Sequence, residues 1–346
     1  MPELRQNLIT RDWVIMATER ASRPDQFVQP QKASPPLPTY HIECPFCPGN
    51  EHLAIAELAS IGERGAWKVR TVPNKYPALS VVGERIRNVN GLNRSMSGVG
   101  YHEVVVEHPR HDATTALLSV EDVAAIVTMY RMRYASIRTD PRVEAIVIFK
   151  NHGETAGTSV QHPHSQIAAT PIVPTQIRTR IDESIRFSDD NGECLFCRTL
   201  KEELASGDRI IVESKHFVAF HPYAALSPFH TWIYPRRHMS SFDQISDEEI
   251  VDLAFTLKTF LAKLYFGLGN PDYNYSIRSI PTNDRSVEYF HWYLAVVPRV
   301  TKTAGFEIGT GMFINTALPE ESAKFLRQVK MPDTVDSMHR EKSGKK

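Results

Sequence analysis

His162-Pro163-His164-Ser165-Gln166 sets two imidazoles and a carboxamide within five residues. It follows a segment rich in backbone donors and glycine: Asn151, Gly153, Gly157, Thr158 and Ser159. A neutral imidazole attacks phosphorus without first losing a proton, and the resulting phosphoramidate is reactive enough for a second nucleophile to break. Gln166 offers an amide N–H to a non-bridging phosphate oxygen, where charge gathers during such a displacement. Pro163 fixes φ and lacks an N–H, so the segment is held extended, and in an extended segment His162 and His164 face the same way. The same pair also suits two ligands of one metal, or two core residues, and the motif alone leaves these readings open.

Working outward, the 346 residues suffice for about two domains or two repeats of ~150 residues each. Lysine plus arginine equals aspartate plus glutamate at 40 each, so no global basic field invites nucleic acid. A hydrophobic content of 42% with 23% charged residues is that of a soluble globular chain. Met1 to Met16 carries Arg5, Arg11 and Asp12 and no unbroken apolar run, so neither a signal peptide nor a membrane span is expected there. A cytoplasmic location follows as the expectation. All four cysteines fall in two Cys-x-x-Cys pairs, which in a cytosolic chain favours metal over disulfide.

Strands are expected around Leu8-Ile9 and Trp13-Val14-Ile15, followed by an irregular proline-rich crossing at Pro30, Pro35, Pro36 and Pro38. Further strands are expected over 67–72, 103–107 and 143–149, the last leading into the motif region. Residues 83–100, rich in Gly, Asn, Ser and Arg, read as a mobile insertion. Ser119 with Asp122, and Ser246 with Glu249, have the spacing of helix capping boxes. Each precedes an apolar stripe at helical period: Val123, Ile126, Val127 and Tyr130, then Ile250, Leu253, Ala254 and Leu257.

These features recur in order. Ser119 and Ser246 lie 127 residues apart, as do His111 and His238; His162 and His291 lie 129 apart, and the two cysteine pairs 150. The larger upstream offset localises to the stretch 83–100, present only in the first half. The chain is therefore an internal duplication. Each half presents a Cys-x-x-Cys and two histidines: Cys44, Cys47, His111 and His162, then Cys194, Cys197, His238 and His291. Two thiolates and two imidazoles are a common structural Zn²⁺ set, and two such sites per chain are expected; the rival, one site pooling all four cysteines, leaves the histidine register without a reason. At offset 129, His164 aligns with Tyr293 and Gln166 with Ala295, so the second half keeps the ligand and loses the nucleophile.

The His-Pro-His-Ser-Gln motif, the upstream Asn151-x-Gly153 and Gly157-Thr158-Ser159 elements, the paired cysteines and the two-repeat layout resemble the galactose-1-phosphate uridylyltransferase family of the histidine-triad superfamily. The resemblance runs from about Arg11 to Val329. It implies an α+β fold: two tandem histidine-triad-like repeats with antiparallel sheets and packed helices, residues 1–175 carrying the catalytic motif, 176–330 forming a structural repeat, and 331–346 a disordered tail. It also implies a double displacement in which His164 attacks the α-phosphate of a nucleoside diphosphate sugar, expels sugar 1-phosphate and passes the nucleotidyl group to a second acceptor. On that pattern His162 is a zinc ligand and Gln166 binds the transferred phosphate. Asn151 and Ser159 match phosphate-contacting positions, Asn74 and Arg23 the nucleoside side, and Glu307 the sugar hydroxyls. A homodimer sharing residues between subunits is implied too. Ser165 stands where bacterial members often have Gly, and the second cysteine pair and the segment Gly305 to Gly311 are similar instead to the plant-type branch that acts as ADP-glucose phosphorylase. UDP-hexose:hexose-1-phosphate uridylyl transfer is the leading expectation, with adenylyl transfer to inorganic phosphate as the alternative; a nucleotide-binding regulatory protein without turnover, or a hydrolase, represents a different class. His102, His108, His152, His216, His221 and His230 read as ordinary strand-end or surface histidines.

Overall fold

The computed structural model describes residues 1–17, 23–28, 37–63 and 65–332; Pro30, Pro35 and Pro36 of the expected crossing and the tail beyond 332 lie outside them. A short sheet of β1 (Glu3–Gln6) and β2 (Trp13–Met16) opens the chain. The first half continues with β3 (Ala59–Glu63), β4 (Ala66–Pro73), a hairpin of β5 (Arg87–Asn90) and β6 (Asn93–Met96), then β7 (Tyr101–Val106), α1 (Val120–Ile137), β8 (Ala145–His152) and β9 (His164–Thr170). After α2 (Thr175–Asn191) and α3 (Leu195–Ser206) come β10 (Ile210–Glu213), β11 (Phe217–Phe220), β12 (Thr231–Pro235), α4 (Asp247–Leu268), β13 (Tyr273–Arg278) and β14 (Tyr293–Pro298). The described part closes with α5 (Gly305–Thr310), β15 (Phe313–Asn315), which joins β2, and α6 (Pro319–Gln328).

The duplication becomes one ten-stranded antiparallel sheet in the order β10-β11-β12-β14-β13-β8-β9-β7-β4-β3. Five strands come from each half, and β8 pairs with β13 at the seam, Lys150 opposite Tyr275. The expected α+β class therefore holds, with the two repeats fused through their backbones. Helices α1 and α4 pack against each other and against one face of the sheet. Their stripes form the core: Val123, Ile126, Val127 and Tyr130 of α1 and Ile250, Leu253, Ala254 and Leu257 of α4 are all buried. Both start at the expected caps. Ser119 Oγ accepts from Asp122 N at 3.0 Å, and Ser246 exchanges bonds with Glu249, satisfying N–H groups that a helix start leaves open.

One local expectation is corrected. Leu8-Ile9 is a turn, because Asn7 Oδ1 accepts from the N–H groups of Ile9 and Thr10 and so bends the chain. The insertion at 83–100 holds the exposed β5–β6 hairpin, closed over Gly91 at φ 59°, a left-handed conformation that favours glycine. Among the described residues no helix is long and apolar enough to cross a membrane.

Candidate active site and metal centres

Strand alternation sends His164 and Gln166 to the face of the sheet opposite α1 and α4, while Ser165 points to the helix side. His164 is buried, and its Nδ1 lies 2.9 Å from the backbone carbonyl of His162. A carbonyl only accepts, so Nδ1 carries the proton and Nε2 keeps its lone pair. Burial lowers the His164 pKa below that of a free imidazole, with Lys150 adding to the shift and the His162 carbonyl and Glu107 opposing it. The ring is therefore a neutral base at neutral pH, the form that attacks phosphorus.

Gln166 is oriented by two neighbours. The backbone N–H of Ala78 donates to His102 Nδ1 at 3.0 Å, so His102 Nε2 bears the proton and donates to Gln166 Oε1 at 2.8 Å. Asn74 Nδ2 approaches the same oxygen at 3.4 Å. With its oxygen occupied, Gln166 presents its N–H₂ outward. His102, read from sequence as an ordinary histidine, thus belongs to the site, and only its place opposite Ala168 on the neighbouring strand reveals this.

The donor-rich loop after β8 is fixed by a single carboxylate. Asp272 Oδ2 accepts from the Thr155 N–H at 2.8 Å and its hydroxyl at 2.6 Å. Gly153, at φ 86°, lies so close that an added Cβ would stand 2.0 Å from Asp272 Oδ1. Asn274 Nδ2 donates to Asn151 Oδ1 at 2.8 Å and so aims the Asn151 N–H₂ outward as well. Ser159 is exposed in the same loop. Arg23 and Glu307 lie elsewhere in the chain. Arg23 lines a groove against α6 with Glu321, Lys324 and Phe325, and Glu307 is partly exposed on α5, where its carboxylate accepts from the Ala304 N–H at 2.9 Å.

Beneath the strand that carries His164 lies a polar network that the sequence reading missed. Glu107 and Lys150, 0% and 2% exposed, form an ion pair. The Tyr130 hydroxyl lies 3.2 Å from Glu107 Oε1 and 2.6 Å from both Ser165 Oγ and the Tyr275 hydroxyl, and Thr115 Oγ1 lies 3.2 Å from Glu107 Oε2. Burial opposes the Glu107 charge, but Lys150, together with Ser165 and His164, outweighs it and holds the carboxyl below its usual range. The signal was available: Lys150 ends an apolar strand and Glu107 ends another, and charges there need partners.

The two sets of four donors assemble as the repeat predicts. The ligand atoms of Cys44, Cys47, His111 and His162 all lie within 4.8 Å of one another, and so do those of Cys194, Cys197, His238 and His291. Each set could bind a metal ion, and each has its own cysteine pair, so the pooled arrangement is excluded. Cys47 Sγ lies 3.5 and 3.6 Å from Nδ1 of His111 and His162; Cys197 Sγ lies 3.2 and 3.4 Å from Nδ1 of His238 and His291. The far nitrogens of His162 and His238 meet the carbonyls of His108 and Val287 at 2.7 and 3.0 Å, which fixes the tautomer and turns Nδ1 toward the sulfurs. Burial brings the His162 pKa down to about 4, leaving the ring neutral and free to ligate.

Comparisons with known proteins agree with this layout. Residues 1–174 match the family described as galactose-1-phosphate uridyl transferase, N-terminal domain, and residues 180–343 match its C-terminal domain. The chain is 37% identical to an ADP-glucose phosphorylase of Arabidopsis thaliana over 95% of its own length and 93% of the relative's. It is 30% identical to a galactose-1-phosphate uridylyltransferase of Thermotoga maritima, over 96% and 99%. A crystal structure of an Arabidopsis thaliana ADP-glucose phosphorylase with bound ADP-glucose superposes with a TM-score of 0.81 at 33% identity, covering 96% of this chain and 100% of that one. Matched along both halves by relatives that span nearly all of it, the chain belongs to the galactose-1-phosphate uridyl transferase family.

Proposed function

We propose that this protein is a nucleotidyltransferase that moves a nucleotidyl group from a nucleoside diphosphate hexose to a phosphate-bearing acceptor through a covalent intermediate on His164. The tautomer of His164 carries the reading. Nε2 attacks the α-phosphorus, the P–O bond to the β-phosphate breaks, and sugar 1-phosphate departs with the bond electrons. The positive charge on the modified ring is stabilised by the His162 carbonyl at 2.9 Å from Nδ1. An acceptor phosphate oxygen then attacks the same phosphorus and the P–N bond breaks, which regenerates neutral His164. Gln166 and Asn151, each with its oxygen already engaged, direct N–H donors at the non-bridging oxygens. Ser159 supplies a further contact from the loop, and Asn74 lies on the nucleoside side.

Both donor sets suit zinc. Bonds of about 2.3 Å to sulfur and about 2.0 Å to nitrogen at the tetrahedral angle place the two donors roughly 3.6 Å apart, and the S···N separations here run from 3.2 to 3.7 Å. The ion in such a closed set supplies structure, holding His162 and with it the start of β9. We assign residues 1–175 as the repeat that reacts and 176–330 as the repeat that supports it. Arg23 and Glu307 would reach a substrate from a second copy in a homodimer, and the location is cytoplasmic.

Uridylyl exchange with a hexose 1-phosphate is the primary reading. Adenylyl transfer to inorganic phosphate is favoured by one observation, the 37% identity to an ADP-glucose phosphorylase over nearly the whole chain. Incubation with UDP-glucose or ADP-glucose labelled in the α-phosphate, followed by denaturation and peptide mapping, decides between them by which donor leaves label on His164. Label from neither donor would refute the covalent mechanism.

A further inference from the structure

The repeat creates a second copy of the His164 position. Phe149 pairs with Gln166 in the first half and Ser276 with Ala295 in the second, so Tyr293 and Ala295 stand in place of His164 and Gln166. Two residues further along the partner strand, Arg278, opposite Tyr293, takes the position of Asn151. His102 has a counterpart as well. Val104 faces Gln166 and Trp232 faces Ala295, which makes His230 equivalent to His102. As the Ala78 N–H donates to His102 Nδ1, the Leu226 N–H donates to His230 Nδ1, at 3.3 Å, and leaves a proton on Nε2.

A cavity of about 300 Å³ lies over these strands, lined by Arg180, Arg278, Arg299, His230, Trp232 and Tyr293 among others, with no aspartate or glutamate among the described residues of its wall. Arg180 Nε donates to the Tyr293 hydroxyl at 3.0 Å, and Arg299 Nε to Asn274 Oδ1 at 2.5 Å. Arg278, partly exposed, makes no hydrogen bond or ion pair with any described residue; burial depresses its pKa, with Tyr293 and Asp12 opposing the shift. His230 is 4% exposed, and its Nε2 has no partner among the described residues. The cavity meets the nucleotidyl site at Phe149 and Asn151 of β8 and at Asn274 of β13, which orients Asn151; neither His164 nor Gln166 lines it.

A guanidinium partly withdrawn from water without a paired carboxylate is costly, and here Arg278, Arg180 and the His230 N–H converge on one space with no aspartate or glutamate among its described lining residues. The missing partner is an anion. A phosphate group, with several charged oxygens, matches the planar fork of an arginine and accepts from the imidazole as well. The volume left over admits a small sugar ring. We infer that this cavity binds a phosphate group, either inorganic phosphate or the phosphomonoester of a small sugar, through Arg278, Arg180 and His230. With tyrosine where the first repeat has its nucleophilic histidine, the site binds without reacting.

Equilibrium dialysis of the purified enzyme tests this, with saturating nucleoside monophosphate filling the nucleotidyl site. The probes are labelled orthophosphate and, separately, labelled hexose 1-phosphate. One phosphate per chain is expected to remain bound. Its affinity should fall about tenfold or more in Arg278→Gln, and Arg278→Lys, which keeps the charge, should recover part of it. His230→Asn should weaken binding less than Arg278→Gln. Melting temperature and metal content show that each variant is folded; if Arg278→Gln is not, Arg278→Lys and His230→Asn decide by the same measure. Retention of orthophosphate alone identifies the free ion, and retention of the hexose ester identifies the sugar. Absence of binding to the wild type with the nucleotidyl site filled, or undiminished affinity in the folded variants, would overturn the inference.

Discussion

The two repeats share a sheet topology and a metal-ligand pattern, yet only one has a histidine at the position proposed to react, the other having Tyr293; what differs is what lies over the strand. In the first half the face around His164 is left to the substrate loop. In the second, α2 and α3 cover the equivalent face, and Leu195, Phe196 and Leu200 pack with Phe220, Trp232, Tyr234 and Tyr293 into a separate core. Phe196 and Tyr293 approach to 5.7 Å between ring centroids. Beneath the sheet the contrast reverses. Lys150 has Ile277 as its equivalent in the second repeat, so a buried ion pair lies under the half that carries His164 where an aliphatic side chain lies under the other. A duplicated scaffold can specialise by covering one copy and charging the underside of the other.

The largest effect should come from the nucleophile. His164→Ala should abolish nucleotidyl labelling and lower turnover by roughly 10⁴-fold or more, whereas Tyr293→His should gain no label, because α2 and α3 cover that strand. Label mapped to residue 293 in that variant would break the comparison. The metal sets come next. Cys47→Ser and Cys197→Ser should each lower Tm by about 10 °C or more, but only Cys47→Ser should also reduce labelling in the fraction still folded, since His162 lies two residues before His164. Equal loss of labelling from both would show that the second centre reaches the reactive site.

Glu107→Gln, which strands a buried lysine, should cost about 3–5 kcal/mol in denaturant unfolding, and Glu107→Leu with Lys150→Met together less. The pH dependence follows from the lowered Glu107 pKa. The stabilisation is present above the ordinary carboxylate pKa and is lost as pH falls through the lower, folded value; the double variant should therefore lose less stability on acidification than the wild type. The smallest effects test orientation. Gln166→Ala should lower turnover by about 10²–10³-fold, and His102→Phe, which only frees the Gln166 oxygen, by about tenfold. A His102→Phe effect as large as that of Gln166→Ala would mean that His102 does more than orient the amide.

Much of this was legible along the chain because it is local or periodic. The caps at Ser119 and Ser246, the two apolar stripes, the cysteine pairs and the offset histidines are patterns over a few residues, and the repeat doubled each signal. The partners of Gln166 and Glu107 were not legible. His102 and Gln166 are 64 residues apart, and Glu107 and Lys150 are 43 apart; strand order and register bring each pair together, and a single residue of slip would send these side chains to the opposite face. The turn at Leu8-Ile9 was misread because two apolar residues imitate a strand, while the Asn7 side chain that bends the chain leaves no period.

The sequence by itself determined the duplication, the two donor sets and the asymmetry between His164 and Tyr293, since residue identity and spacing carry that information directly. Only the tertiary structure decided that the halves fuse at β8 and β13 into one sheet, that His102 turns Gln166 outward, and that Arg278 faces the second copy of the site with no ion pair to any described residue. These depend on hydrogen bonding and charge between distant residues, whose energies are set by the burial and geometry that folding creates.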